Sequence, residues 1–210
     1  MSPSNEPDTS LDAEQILRTL ANHRVDYVLV GGLAVQVHGH VRTTFDVDVL
    51  PRPARANLAQ LADALNELDA RVLNPGSEDL PIDAAMLPRA TLWQFETRHG
   101  AIDVIHDAPG APAYDELRGR ALEIDLGGLA LAVAGRDDLI SMKRASARPV
   151  DLDDLAALTE PQHRQRETEA TAGEETTDAE LRAQLIDRFP TGGGLDAGAA
   201  AEVRERGWTH

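Results

Sequence analysis

The stretch VLVGGLAVQVHGHVRTTFDVDVL, residues 28–50, decides the fold of this chain. It begins as an apolar strand, turns at a glycine pair, passes through a short helical segment and ends in a second apolar strand. That second strand contains two aspartates, Asp46 and Asp48, at positions where a core favours valine. An ionised carboxylate taken out of water must be paired, bound to a metal or neutralised, so both aspartates need an explanation.

Alternation along the strand predicts where these carboxylates point. Successive side chains in a strand face opposite sides of the sheet, so Asp46 and Asp48 share one face with Leu50. The intervening residues are expected in the core: Phe45, Val47 and Val49. Two carboxylates on one face can bind a hard cation such as Mg²⁺, which prefers oxygen ligands. An Asp-x-Asp pattern is common, however, and by itself it favours an ordinary solvent-facing sheet surface.

Two further features of the sequence favour a shared site. The glycine pair Gly31-Gly32 lies between a strand and a helix, where backbone N–H groups can approach a phosphate, although a simple tight turn has the same sequence. Asp103 is a third acid within an apolar strand, AIDVIHD, on the face of Ala101 and Ile105. Three acids in apolar strands are less expected by chance than one.

Lys143 is the single lysine among 20 basic residues. It follows Ile140 and Leu139 by three and four residues, which places it on the apolar face of a predicted helix. There its compact ammonium can neutralise a phosphate, or its stem can follow the helix edge into water.

Composition indicates a cytoplasmic protein without a broad nucleic-acid-binding surface. The formal net charge is −16 and the pI about 4.7, whereas affinity for phosphate backbones needs clustered Lys and Arg. Residues 151–210 carry 14 acidic and 6 basic residues, so a local basic surface elsewhere is compatible with this charge. The absence of cysteine excludes disulfides and thiolate metal sites. We find neither a signal peptide nor an apolar run that predicts a membrane span.

The hydrophobic periodicity predicts the order α-β-α-β-α, then three or four strands, then two helices. This order is typical of an α/β (α+β) protein with a mixed sheet, flanking helices and a C-terminal helical segment. We expect one domain at residues 11–160. Residues 161–210 are predicted to form an acidic linker and a helical or partly disordered tail, with a helix over 179–189.

Residues 28–50 resemble the signature of the polymerase-β-type nucleotidyltransferase superfamily, an apolar strand, a glycine pair and then an Asp-x-Asp strand. Here 13 residues separate Gly32 from Asp46, at the long end of the usual spacing. The stretch DLISMKRASARPVDLDDLAAL resembles the Lys-Arg…Arg-x-x-Asp-x-x-Asp region of the abortive-infection and MenT-like toxin branch. Its matching positions are Lys143, Arg144, Arg148, Asp151 and Asp154.

The resemblance implies a nucleotidyl transfer that depends on Mg²⁺ (or Mn²⁺). The residues implied as metal ligands are Asp46, Asp48 and Asp103, which together with Lys143 form the implied catalytic set. The residues implied in NTP binding are Gly31, Gly32, Arg42, Thr44, Lys143 and Arg144. Asp151 and Asp154 stay open between a catalytic role and helix capping, because Asp151 follows Pro149-Val150 at an N-cap position. We interpret the other strand pair, Glu123 and Asp125, as a solvated hairpin face.

The acceptor of the transferred nucleotide stays open at this stage. The toxin branch implies transfer of an NMP to the 3′ end of tRNA, with an antitoxin protein as partner. A small basic surface for that end is expected from Arg136, Lys143, Arg144 and Arg148. The same motif occurs in enzymes that modify an antibiotic or a protein. A non-catalytic nucleotide- or partner-binding module is a further alternative, which the joint presence of three acids disfavours.

Overall fold

The computed structural model describes residues 11–159, which form a seven-stranded mixed sheet with helices packed against it. The helices are α1 (Ala13–Asn22), α2 (Gly31–Val37), α3 (Arg55–Glu67), α4 (Tyr114–Gly119), α5 (Arg136–Ser146) and α6 (Pro149–Thr159). The strands are β1 (Tyr27–Leu29), β2 (Asp46–Pro51), β3 (Arg71–Val72), β4 (Leu92–Thr97), β5 (Gly100–Ile105), β6 (Leu122–Asp125) and β7 (Ala130–Val133). The predicted α+β class is confirmed.

The amphipathic pattern of the first helix is reproduced in α1. The side chain of Asp12 accepts a hydrogen bond from the backbone N–H of Gln15 at 3.2 Å, which satisfies a free donor at the helix start. Ile16, Leu17 and Leu20 are buried on the inward face. Capping and burial therefore fix this helix where its sequence predicts.

The strand order in the sheet is β3-β4-β5-β2-β1-β7-β6. Strand β2 lies at the centre, antiparallel to β1 and parallel to β5. The register of the parallel pair sets Asp48 opposite Asp103 and Asp46 opposite Ala101. This central pairing brings together two strands that are separated in the chain by α3, β3 and β4.

The alternation predicted for β2 agrees with its burial. Val47 and Val49 are fully buried, while Asp46 and Asp48 are partly exposed on the other face. Two neighbours differ from the prediction: Leu50, expected on the face of the acids, is buried, and Phe45, expected in the core, precedes the strand and is half-buried. The apolar face of β2 is therefore part of the hydrophobic core.

Some element boundaries differ from those predicted. The glycine pair forms the first turn of α2, not the end of β1. Pro149 opens α6 and does not merely separate two helices, since proline lacks only an N–H that the first helical turn leaves unpaired. Strand β3, helix α4 and a 3₁₀ helix at Leu87–Arg89 were not predicted, because two, six and three residues are too few to show a period.

The predicted linker and the helix over 179–189 lie outside the described residues, so the division at residue 160 stays a prediction. Within residues 11–159, no helix has the length and apolar character needed to cross a membrane. The turn at Gly127-Gly128 joins β6 to β7, with the side chain of Asp125 accepting from the N–H of Gly128 at 2.6 Å. Glu123 and Asp125 are exposed, as predicted for a solvated hairpin face.

Candidate active site

Three carboxylates converge on one face of the central strands. Asp46, Asp48 and Asp103 each offer an oxygen atom, and these atoms all lie within 4.8 Å of one another. The convergence predicted from strand alternation is therefore confirmed. It depends on the parallel register of β2 and β5, which aligns Asp48 with Asp103. Oxygen atoms at this separation suit a hard divalent cation.

The start of α2 explains why glycine follows β1. Gly31 has φ +64°, and a Cβ there would lie 1.8 Å from Oδ2 of Asp48, a distance no side chain tolerates. The N–H of Gly32 points to the same carboxylate oxygen at 3.4 Å. The glycine turn is thus packed directly against one of the three acids. Its predicted contact with a triphosphate stays a prediction.

The environment of Asp48 disfavours its charged form. Burial, reinforced by the neighbouring charge of Asp46, raises the pKa of Asp48 to about 7. Lys143, Arg148 and the N–H of Gly32 act in the opposite direction but do not cancel this rise. Three acids that crowd together in this way form a site that a cation would stabilise.

Two residues before β2 line the glycine turn. The hydroxyl of Thr44 donates to Oδ1 of Asp46 at 3.2 Å. A Cβ on Gly32 would lie 2.5 Å from Oγ1 of Thr44 and 2.8 Å from Nη2 of Arg42. Arg42 and Thr44 were predicted to contact phosphates. The structure brings both beside the turn and the acids, and their role toward a nucleotide stays a prediction.

Lys143 lies in a buried ion-pair cluster on the inward side of α5. It is 4% exposed, and its Nζ is 2.8 Å from Oδ1 of Asp151 and 2.8 Å from Oδ2 of Asp154. Both carboxylates are fully buried. The predicted inward direction of Lys143 is confirmed, but the sequence did not reveal its two acidic partners. The charge of Lys143 also lowers the pKa of Asp48, which indicates that the cluster adjoins the three acids.

Asp151 caps a helix, at a different position from the one predicted. It is the third residue of α6 and not its N-cap. Its Oδ2 accepts from the backbone N–H of Arg148 at 3.1 Å, the contact that an acid makes at this position in a capping box. Burial alone would raise the pKa of Asp151, but hydrogen bonds from Arg148, Lys143 and Ser146 outweigh it and hold that pKa well below its ordinary value. Asp151 is therefore a poor proton acceptor.

The four residues expected to form a basic surface divide into two pairs. Arg136 and Lys143 are buried, and Nε of Arg136 donates to the carbonyl of Leu158 at 2.5 Å. Arg144 is exposed, and the side chain of Arg148 is 43% exposed. The charge of Arg148 also contributes to lowering the pKa of Asp48.

Gln94 is a site residue that the sequence did not reveal. Its Nε2 is 3.3 Å from Oδ2 of Asp103, and the antiparallel register of β4 and β5 sets the two residues opposite each other. A glutamine in an alternating strand gives no local signal of such a partner. The strand register alone would have identified it.

A glycine turn and an acidic pair on β2, completed by an acid on the adjacent parallel strand, define a nucleotidyltransferase-type core. The family model described as "Nucleotidyltransferase of unknown function (DUF6036)" matches residues 9–159. The chain belongs to this family, because the match covers well over half of its length. A comparison with curated proteins found no similar sequence.

Solved structures of nucleotidyltransferases resemble this chain at low identity. The lincosamide antibiotic adenylyltransferase LnuA, bound to lincomycin, is 13% identical with a TM-score of 0.51 and covers 72% of this chain and 98% of its own. The antibiotic-resistance factor ANT(2'')-Ia is 18% identical with a TM-score of 0.47, covering 91% and 94%. An antigenic nucleotidyltransferase-like protein from Paracoccidioides brasiliensis is 13% identical with a TM-score of 0.46, covering 82% and 94%. The likeness to LnuA concerns the fold alone. The abortive-infection and MenT-like branch stays a prediction.

Proposed function

We propose that this protein transfers a nucleoside monophosphate from an NTP to an acceptor hydroxyl. The observation that supports the proposal most is the convergence of three strand carboxylates within 4.8 Å, beside a glycine turn at a helix start. Three carboxylates held this close together repel one another without a cation, and the chain belongs to a nucleotidyltransferase family.

The carboxylates of Asp46, Asp48 and Asp103 would hold Mg²⁺ or Mn²⁺. Burial, reinforced by the neighbouring Asp46, raises the pKa of Asp48, and a divalent cation would offset this cost. When bound, such ions polarise the phosphates, lower the pKa of the acceptor hydroxyl and neutralise the leaving pyrophosphate. The protein's own task is to hold the reactants in position and to place charge.

The remaining site residues would bind the triphosphate. The backbone of Gly31 and Gly32 would admit the close approach of a phosphate at the start of α2. Thr44 and Arg42 border that turn, and the charge of Lys143 acts on the nearby Asp48. Arg144 is exposed and would contact the outer part of the nucleotide.

For the acceptor we favour a small hydroxylated molecule, such as an antibiotic. Burial of Arg136 and Lys143 removes half of the basic surface expected for RNA, and the net charge of −16 suits a small or cationic acceptor. LnuA, which shares the fold, is a lincosamide adenylyltransferase with lincomycin bound.

The 3′ end of tRNA is the second candidate acceptor, supported by exposed Arg144 and Arg148 and by the toxin resemblance. An antitoxin protein would then be the partner.

The decisive experiment uses the purified full chain with each of the four α-labelled NTPs, Mg²⁺ or Mn²⁺, and three separate acceptor pools. The pools are total tRNA, a panel of aminoglycosides and lincosamides, and the protein itself. We expect label in one pool, and none with the Asp46→Asn/Asp48→Asn control. If no pool is labelled and no NTP binds, the proposal is wrong. Binding of an NTP without transfer to any pool would favour the non-catalytic module.

A further inference from the structure

Asp154 is fully buried, lies outside the acidic triad and forms two short ion pairs. Its Oδ2 is 2.8 Å from Nζ of Lys143, and its Oδ1 is 2.8 Å from Nε of Arg42. Nε2 of His40 lies further away, at 3.9 Å. A buried carboxylate is retained at a cost, so the identity of its partners indicates what it is for.

Lys143 does not depend on Asp154 for an acidic partner. Oδ1 of Asp151 lies at the same 2.8 Å distance from Nζ of Lys143. Asp151 takes its other hydrogen bonds from Ser146 and Arg148, in the connection between α5 and α6. Asp154 differs because it also reaches a separate part of the chain, the segment 38–45 that connects α2 to β2.

Within that segment Arg42 is held at several points. Gln36 donates through Nε2 to the carbonyl of Arg42 at 2.6 Å, and Nη1 of Arg42 donates to the carbonyl of Thr43 at 2.9 Å. Nε faces Asp154, and Nη2 lies close enough to Gly32 that a Cβ there would be 2.8 Å away. The guanidinium is therefore pressed against the glycine turn, with the carboxylate of Asp154 behind it.

We propose that Asp154 is a positioning residue that holds the guanidinium of Arg42 against the Gly31-Gly32 turn. It acts on the nucleotide phosphates through Arg42 and does not touch them itself. The proposal rests on the proposed function, in which this turn receives a triphosphate. Removal of the carboxylate leaves the charge of Arg42 in place but frees its orientation, and a guanidinium binds phosphate well only when its planar fork is correctly presented.

A double-mutant cycle tests this proposal. Wild type, Asp154→Asn, Arg42→Ala and the double variant are compared for the Kd of each of the four NTPs with Mg²⁺, measured by calorimetry. Asp154→Asn should raise the Kd about tenfold, because Arg42, no longer held in position, loses a charge-assisted contact with the phosphates. The double variant should bind no more weakly than Arg42→Ala alone, because the two residues act as one unit.

Asp151→Asn is the matched control, since Asp151 shares Lys143 but not Arg42. The factor by which Asp151→Asn changes the Kd should multiply with the factor for Arg42→Ala, because the two residues act independently. If the effect of Asp154→Asn multiplies in the same way, or if Asp154→Asn leaves the Kd unchanged, the proposal is overturned. Asp154→Glu, which keeps the charge, replaces Asp154→Asn if the latter fails to fold.

Hydrogen exchange of the nucleotide-free protein gives a readout that does not depend on the proposed function. Asp154→Asn should speed amide exchange in segment 38–45, and Asp151→Asn should not. If wild type binds no NTP, the proposed function fails, while this difference still decides whether Asp154 anchors Arg42. Equal exchange in both variants overturns the anchoring.

Discussion

Asp48 contacts several parts of the candidate site. It aligns with Asp103 across the parallel strands, receives the N–H of Gly32 and leaves no room for a side chain at Gly31. Burial, and after it the neighbouring charge of Asp46, raises the pKa of Asp48 and so disfavours its ionised form. An acid kept under these conditions is costly to the stability of the metal-free protein.

Loss of either acid on β2 should abolish transfer. We expect Asp46→Ala and Asp48→Ala to reduce the rate by orders of magnitude, because each removes a carboxylate that would hold the cation. The fold should remain, since the core face of β2 is formed by Val47 and Val49. Transfer of labelled NMP and circular dichroism check the two parts. Substantial activity of Asp46→Ala would refute the metal assignment.

The raised pKa of Asp48 predicts a pH-dependent stability of the metal-free protein. Between the ordinary value of 3.8 and about 7, the folded state binds a proton that the unfolded state has lost. The unfolding free energy should therefore fall as the pH rises from 3.8 to about 7 and level off above that. Asp48→Asn should remove this slope and stabilise the protein at pH 8 by about 1–3 kcal/mol.

Urea unfolding in the presence of a chelator, at pH 5 and pH 8, measures the effect. The comparison is the difference between Asp48→Asn and wild type at each pH, so that other titrating groups cancel. A difference that does not grow between pH 5 and pH 8 would contradict the raised pKa.

Substitution of Lys143 should affect both activity and stability. From the sequence alone, Lys143→Arg and Lys143→Ala are expected to change thermal stability little. The structure changes that expectation, since Lys143→Ala leaves Asp151 and Asp154 buried with less positive charge beside them. We expect a loss of roughly 3–5 kcal/mol of unfolding free energy for Lys143→Ala.

Lys143→Arg should fold better than Lys143→Ala, because it keeps the positive charge, but it should lose much of the activity. The compact ammonium of Lys143 lies 2.8 Å from a carboxylate oxygen of both Asp151 and Asp154, and the longer planar guanidinium of arginine does not fit in its place. Thermal unfolding and the NMP-transfer rate of both variants test these expectations. A fully active Lys143→Ala protein would exclude Lys143 from the site.

At the scale of elements, the pairing of a glycine turn with a central strand defines the site. Period-two alternation was enough to predict β2, β5 and the shared face of their acids. It did not predict that β5 pairs with β2, nor that α6 brings Asp154 to Arg42, because both follow from tertiary packing and leave no local pattern. For the same reason Gln94 was missed, whereas the inward face of Lys143 followed from its helical spacing.

The turn itself is testable with two glycines of similar backbone conformation. Gly31→Ala should destabilise the protein by more than about 2 kcal/mol and abolish transfer, because the new Cβ would collide with Asp48. Gly128→Ala is the control, since Gly128 also has positive φ but has open space around it. Its cost should be limited to about 1 kcal/mol of backbone strain. Equal costs in urea unfolding would contradict the steric account.

At the scale of the whole molecule, the site and its supports lie within residues 11–159, the part matched by the family model. We predict that the chain cut after residue 160 still unfolds cooperatively and binds an NTP. The buried core supplies the reason, because it draws on every strand of the sheet except β6. Calorimetric unfolding beside the full chain measures this, and non-cooperative unfolding would assign residues 161–210 a structural role.

The parallel pairing of β2 with β5 leaves one edge of β2 unpaired while the chain is being synthesised. Strand β1 is available to β2 early, but the other edge of β2 has no neighbour until residues 100–105 have been synthesised. Until then, the unpaired edge of an apolar strand that contains Val47, Val49 and Leu50 could form hydrogen bonds with strands of other molecules and aggregate. Two carboxylates along that edge are the kind of charged gatekeeper that discourages such pairing. The same aspartates would then keep the unfinished chain soluble before they bind anything.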